Sequence, residues 1–184
     1  MHNKVFISAN ELLEDSFELG QQVLDSGFQP DLIIGLWRGG APIAIAIHEL
    51  FDHAGITADH IPIRTQLYTG INQPTAKVTI NGLDYITERR EQCNRILIVD
   101  DVFDSGQTMT ALTDELTALF AHTPAEIRIA TVWYKPTRNI SPLSPDYFVR
   151  SSEAWLVFPH ELCGIDKTEL LAHKPGIKHI ARHL

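Results

Sequence analysis

A chain of 184 residues, 44% hydrophobic and 21% charged, carries enough apolar material for one domain with a substantial core, and its composition excludes disordered, collagen-like and low-complexity architectures. No apolar run approaches the roughly 18 residues of a membrane span. The net charge of −8, from 15 basic and 23 acidic residues, argues against a broad nucleic-acid surface, so a polyanion would have to be held locally, by a metal or a ring of backbone amides.

The opening Met1-His2-Asn3-Lys4-Val5 leads into no signal-like apolar stretch. Cys93 and Cys163 form no CxxC or Cys/His spacing, so neither a disulfide framework nor a zinc site is expected, and a reducing cytoplasm is the expected location. Ser8-Ala9-Asn10-Glu11 reads as a capping box, followed by an apolar stripe of Leu12, Leu13, Phe17, Val23 and Leu24 at near-helical period, with Gly27 at the C-terminal cap. Asp31 to Leu36 is a continuous apolar run typical of a strand covered on both faces. A helix over Pro42 to Phe51 and a weaker strand over Ile56 to Ile63 follow. Residues 65–77 are polar and turn-rich and predict a long loop, with Lys77 to Gly82 as an extended arm returning from it. Arg95 to Asp100 is the clearest buried strand. A loop over Asp104 to Thr108 opens a helix from Met109 to His122, and Glu126 to Trp133 is another strand. After the proline-punctuated stretch from Pro136 to Pro145, a short strand is predicted at Ala154 to Phe158. Strands alternating with helices predict an α/β fold: three layers, with a mostly parallel central sheet between helices, in a single domain over 1–184.

In open parallel sheets ligands bind beyond the carboxyl ends of the strands. Three segments with polar groups that a core does not need converge there: Trp37 to Gly40, Asp100 to Thr108, and Tyr134-Lys135-Pro136. The strongest is Ile96-Leu-Ile-Val-Asp-Asp-Val-Phe-Asp-Ser-Gly-Gln-Thr108. Vicinal Asp100 and Asp101 suit a sugar diol or a hydrated Mg2+. The amides and hydroxyls of Ser105, Gly106, Gln107 and Thr108 at a helix start suit a phosphate. The plainer alternative is a strand-end cap followed by an ordinary turn. Trp37-Arg38-Gly39-Gly40 could bring backbone and a guanidinium to an anion, or could be a tight turn with a solvated arginine. The nine histidines show no metal-ligand spacing.

The Asp100–Thr108 stretch resembles the phosphoribosyl pyrophosphate (PRPP) motif of type I phosphoribosyltransferases, and the resemblance extends from the strand before Trp37 to near Glu161. Ser105 stands where threonine is commoner, and Gln107 where lysine or glycine is frequent. The resemblance implies the fold of that family, with a flexible hood loop at about 65–82 carrying Tyr68 and a base-binding segment at about 134–166. It implies that Asp100 and Asp101 hold the ribose hydroxyls, and that Ser105, Gly106, Gln107 and Thr108 hold the 5-phosphate. Trp37, Arg38 and Gly39 would form the pyrophosphate loop.

Tyr134-Lys135-Pro136-Thr137 and Pro145-Asp146-Tyr147 resemble the purine branch of that family. There Lys135 would donate to the oxygen at purine C6, and Trp155, beside Leu156, would stack on the base. Read alone, Lys135 could be a solvated strand-end lysine and Trp155 plain core. Glu161 stands where related enzymes place an aspartate associated with metal and base, so Asp100, Asp101 and Glu161 are the implied metal residues, with Mg2+ as cofactor. Asp104 would be the catalytic base. The implied activity is transfer of ribose 5-phosphate from PRPP to a 6-oxopurine, by a homo-oligomer (dimer or tetramer) with no nucleic-acid or membrane partner. The alternatives are a transferase for another base and a non-catalytic PRPP-binding regulator.

Overall fold

The computed structural model describes residues 4–68, 77–174 and 176–183. Chain order gives β1 (Lys4–Phe6), α1 (Ala9–Asp25), β2 (Leu32–Trp37), α2 (Gly40–His53), β3 (Asp59–Tyr68) and β4 (Lys77–Asn81). Then follow α3 (Leu83–Arg89), β5 (Arg95–Phe103), α4 (Gln107–Leu119), β6 (Glu126–Tyr134), β7 (Tyr147–Ser151), β8 (Trp155–Val157) and α5 (Lys167–His173). Short 3-10 turns lie at Arg90–Gln92 and Ile177–His183.

Six strands form one sheet in the order β4-β3-β2-β5-β6-β7, parallel except for the antiparallel β3–β4 pair. Alternation along β2 divides the core between the two faces. Ile33 packs with Leu12, Leu19 and Val23 of α1 and Ile43, Ile47 and Phe51 of α2. Leu32, Ile34 and Leu36 pack on the opposite face with Ile86 of α3 and Met109, Leu112 and Leu116 of α4. Both faces are therefore covered, which is why β2 and β5 read as unbroken apolar runs. The α/β architecture is the expected one.

Local signals account for most helix ends. Ser8 and Glu11 form a complete capping box on α1, and Gly27 follows its end with φ 76°. α2 starts at Gly40, two residues earlier than predicted, and Pro42 falls in its first turn, where an N–H would have no helical partner. α4 likewise starts at Gln107 rather than Met109.

Two expectations need correction. Residues 65–68 are not loop: β3 continues to Tyr68, and its polar end pairs with β4 as the stem of a hairpin, with Tyr68 opposite Lys77. The centre of the expected hood, residues 69–76, lies outside the described residues, as does the Tyr68 side chain. β5 does not end at Asp100 but continues to Phe103. The short strand expected over Ala154 to Phe158 forms as β8, paired in parallel with β1; β1 and β7, the sixth strand of the main sheet, have no counterpart among the expected elements.

Candidate active site

The site opens where two strands part. β2 pairs with β5 only as far as Gly35 opposite Val99, yet stays with β3 as far as Trp37 opposite Arg64. β5 meanwhile stays with β6 to Phe103 opposite Tyr134. Crossovers leave β2 and β5 in opposite directions, so this gap is the switch point at which an open α/β sheet binds ligands. Asp100 and Asp101 lie in β5 just past the parting, where β2 no longer pairs with it.

The turn after β2 closes tightly over that gap. The Trp37–Arg38 peptide bond is cis, and Trp37 is exposed. A side chain at Gly39 would collide with the Asp101 carboxylate, and one at Gly40 with the Val99 carbonyl. Glycine is required here for close approach of two backbones. Asp100 accepts the Asp101 amide at 3.0 Å. Burial, then the neighbouring Asp101 charge, pushes the Asp100 carboxyl well above the usual carboxylate range, against the stabilising Asp101 and Gly40 amides. His160 Nε2 lies 3.6 Å from Asp101 Oδ2.

Beyond the acids, Gly106 turns the chain into α4 at φ 77°, with no room for a Cβ against Ser141. The first amides of α4 have no helical acceptors; the Gln107 amide reaches only its neighbour Ser105 Oγ, at 3.4 Å. Asp100, Asp104, Ser105, Gly106 and Thr108 line a small recess of about 90 Å³ there. The Ile140 amide donates to Ser105 O at 3.2 Å, so the loop after β6 braces this turn. Helix dipole, free amides and hydroxyls make the recess suitable for a phosphate.

A larger cavity of about 500 Å³ adjoins it, lined by Asp101, Val102, Asp104, Lys135, Arg138 and Glu153, and by Trp155, Leu156, Phe158 and Glu161. Lys135 is only 5% exposed, and its ammonium lies 3.3 Å from Asp104 Oδ2. An ammonium so deeply buried needs such a partner. Arg138 Nε is 2.8 Å from Asp104 Oδ1, an ion pair whose angle does not make a hydrogen bond. Trp155 is not core: it is 44% exposed, with Lys4 Nζ 5.0 Å from its ring centroid.

No three His, Cys, Asp or Glu side chains among the described residues come together as a metal cage. Mg2+ binds through one or two carboxylates, with water and substrate phosphates supplying the rest. Asp100 and Asp101 fit this pattern, since a cation would offset the burial and, next, the Asp101 repulsion that raise Asp100. Glu161 Oε2 already accepts the Phe158 amide at 3.0 Å, which leaves one carboxylate oxygen for other work.

The fold thus gathers the predicted residues into one crevice in two compartments. Asp100, Asp104, Ser105, Gly106 and Thr108 line the recess; Asp101, Asp104, Lys135, Trp155, Leu156 and Glu161 line the cavity. Gln107 lines neither, and Arg38 and Gly39 lie on the turn above the acids. Sequence reasoning missed Arg138, Glu153, Phe158 and His160. Arg138, three residues past Lys135, carried the one usable signal, a second cation on the same turn.

A model of the phosphoribosyl transferase domain matches residues 8–163. The hypoxanthine-guanine phosphoribosyltransferase of Lactococcus lactis is 31% identical over 147 residues, covering 78% of this chain and 74% of that protein. The crystal structure of a purine phosphoribosyltransferase from Pyrococcus horikoshii matches 89% of this chain and 97% of its own, with a TM-score of 0.65 and 28% identity. The xanthine-guanine-hypoxanthine phosphoribosyltransferase of Helicobacter pylori shares the fold, with a TM-score of 0.67 at 21% identity over 86% of this chain and 92% of its own.

Proposed function

The chain belongs to the phosphoribosyltransferase family, and from that membership we propose that it transfers the ribose 5-phosphate of PRPP to N9 of a 6-oxopurine, releasing pyrophosphate and forming a purine nucleoside monophosphate. The observation that carries this reading is the buried Lys135 ammonium, paired with Asp104 in a cavity walled by Trp155 and Leu156. An ammonium has three donors and no acceptor, so it matches a carbonyl oxygen at C6 and not the amino group of adenine. The names of the relatives support the same class of base.

Each residue then has a task. Ser105, Gly106, Gln107 and Thr108 hold the 5-phosphate, and Trp37, Arg38 and Gly39 face the pyrophosphate. Asp100 and Asp101 hold the ribose hydroxyls, directly or through metal-bound water. Trp155 stacks on the base, with Leu156 beside it. As N9 bonds to C1′ and the bond from C1′ to the pyrophosphate oxygen breaks, Asp104 accepts the proton from N7. Tyr68 and the hood exclude water from the cationic sugar. Mg2+, held by Asp100 and Asp101 with Glu161 nearby, would neutralise charge on the departing pyrophosphate. Positioning and electrostatic support of the sugar provide much of the acceleration.

The reading includes one domain over 1–184, acting as a cytoplasmic dimer or tetramer without nucleic-acid or membrane partners. Among the described residues no helix is long and apolar enough to cross a membrane. The test is pyrophosphate release from PRPP and Mg2+ with hypoxanthine, guanine, xanthine and adenine. Turnover with the 6-oxopurines and not adenine is the expected result. PRPP binding without release, for every base, would favour a regulator instead.

A further inference from the structure

The cavity's outer wall is fastened from behind by segments that lie outside the matched family region of residues 8–163. Three contacts join them. Lys4 of β1 pairs with Glu169 of α5 at 2.6 Å, Phe6 stacks on His173 with ring centroids 4.1 Å apart, and β1 pairs in register with β8, which carries Trp155 and Leu156. Lys174, directly after α5, is 8% exposed, and its ammonium donates to Phe158 O at 2.5 Å and Pro159 O at 3.2 Å.

Those carbonyls open the turn that finishes the cavity. Phe158 O also accepts the Glu161 amide at 3.0 Å, and Glu161 returns a bond to the Phe158 amide. Phe158 and Glu161 line the cavity, while His160 stacks on Phe158 and reaches Asp101. A buried ammonium is costly unless its donors are used. Burial pulls the Lys174 pKa below the ordinary lysine value, against the nearby Glu161 charge.

Building on the transferase reading above, we propose that Lys174 is a positioning residue for the base end of the site: tying the Phe158–Glu161 turn from behind, it fixes Phe158 and Glu161 in the cavity wall. Lys174 touches no substrate and acts through the turn. The phosphate recess and the turn after β2 are built from other elements, so its loss should act on the base and spare PRPP.

The experiment compares the full chain with Lys174→Met, which keeps the stem, and Lys174→Arg, which keeps donors. Lys174→Met should raise KM for the base by about tenfold, the loss of one charge-assisted hydrogen bond, with KM for PRPP changed less than about twofold. Lys174→Arg should restore part of the loss. Equal shifts in both KM values, or reduced thermal stability with unaltered kinetics, would overturn the inference. Hydrogen exchange at the amides of Phe158, His160 and Glu161 tests the clamp apart from the activity. Exchange there should accelerate in Lys174→Met, even if no base proves to be a substrate, and unaltered exchange would refute the clamp.

Discussion

Gly39 lies so close to Asp101 that a Cβ on it would stand 2.0 Å from the carboxylate Oδ2. The turn after β2 and the acid pair of β5 therefore occupy a single packed unit, and neither can shift alone. Gly39→Ala should destabilise the protein by about 1–3 kcal/mol, the usual range for overpacking, and raise KM for PRPP. On an Asp101→Ala background the stability penalty should largely vanish, because neighbouring substitutions are non-additive. Denaturant titration of the four proteins decides it; equal penalties in both backgrounds would place the strain elsewhere.

The acid pair itself predicts loss of function without loss of fold. Burial and the Asp101 charge both oppose an ionised Asp100. Asp100→Asn with Asp101→Asn should abolish turnover while leaving the thermal midpoint unchanged or higher, since repulsion is removed. A double variant with near-normal turnover would remove the ribose-binding role.

Lys135 and Asp104 are unequal partners, with side chains 6% and 34% exposed. Asp104 retains Arg138 when Lys135 is lost, whereas Lys135 loses its ion partner when Asp104 is lost. Asp104→Ala should thus destabilise more than Lys135→Met, by about 1–3 kcal/mol, the cost of a buried polar group left unpaired. In kinetics, Asp104→Asn should lower kcat by roughly 10²–10⁴, as for a lost general base. Lys135→Ala should erase a preference for hypoxanthine over adenine of roughly 10²-fold. A Lys135→Ala variant with its base preference intact would dismiss that lysine as the C6 donor.

Acid stability has a local signature at the start of α1. Hydrogen bonds with Ser8, first to its side chain and then to its backbone, hold the Glu11 carboxyl below the usual glutamate range. A depressed carboxylate pKa stabilises fully above the unfolded value, about 4.3, and its contribution is lost as pH falls through the lower folded value. The stability gap between the wild type and Glu11→Ala should be constant near neutrality and close below about pH 4. A gap that persists at lower pH would show that the Glu11 carboxylate charge does not carry it.

Legibility in the sequence followed burial and locality. β2, β5 and β6 were readable because strands covered on both faces are continuous apolar runs, and the capping box of α1 lies within four residues. The acids and the phosphate turn were readable because they share one contiguous stretch. The end of β3 was not: Thr65 to Tyr68 leaves the core as a hairpin stem, where no apolar pattern marks a strand. β1 and β8 have three residues each and find one another across most of the chain. Arg138, Glu153 and His160 enter the site on turns whose placement depends on the finished sheet.

The bond between Lys4 and Glu169 spans 165 positions, and this orders events during synthesis. Contacts of long separation form late, and a chain made from its first residue onward folds what has already emerged. The anion-holding half, complete once β6 has joined β5, is in place before residue 174 exists. Until β8 emerges β1 has no strand beside it, and until residue 174 follows, the outer wall of the purine end is not tied from behind. A nascent or truncated chain of this protein should accordingly acquire affinity for phosphate-bearing ligands before it can discriminate among bases.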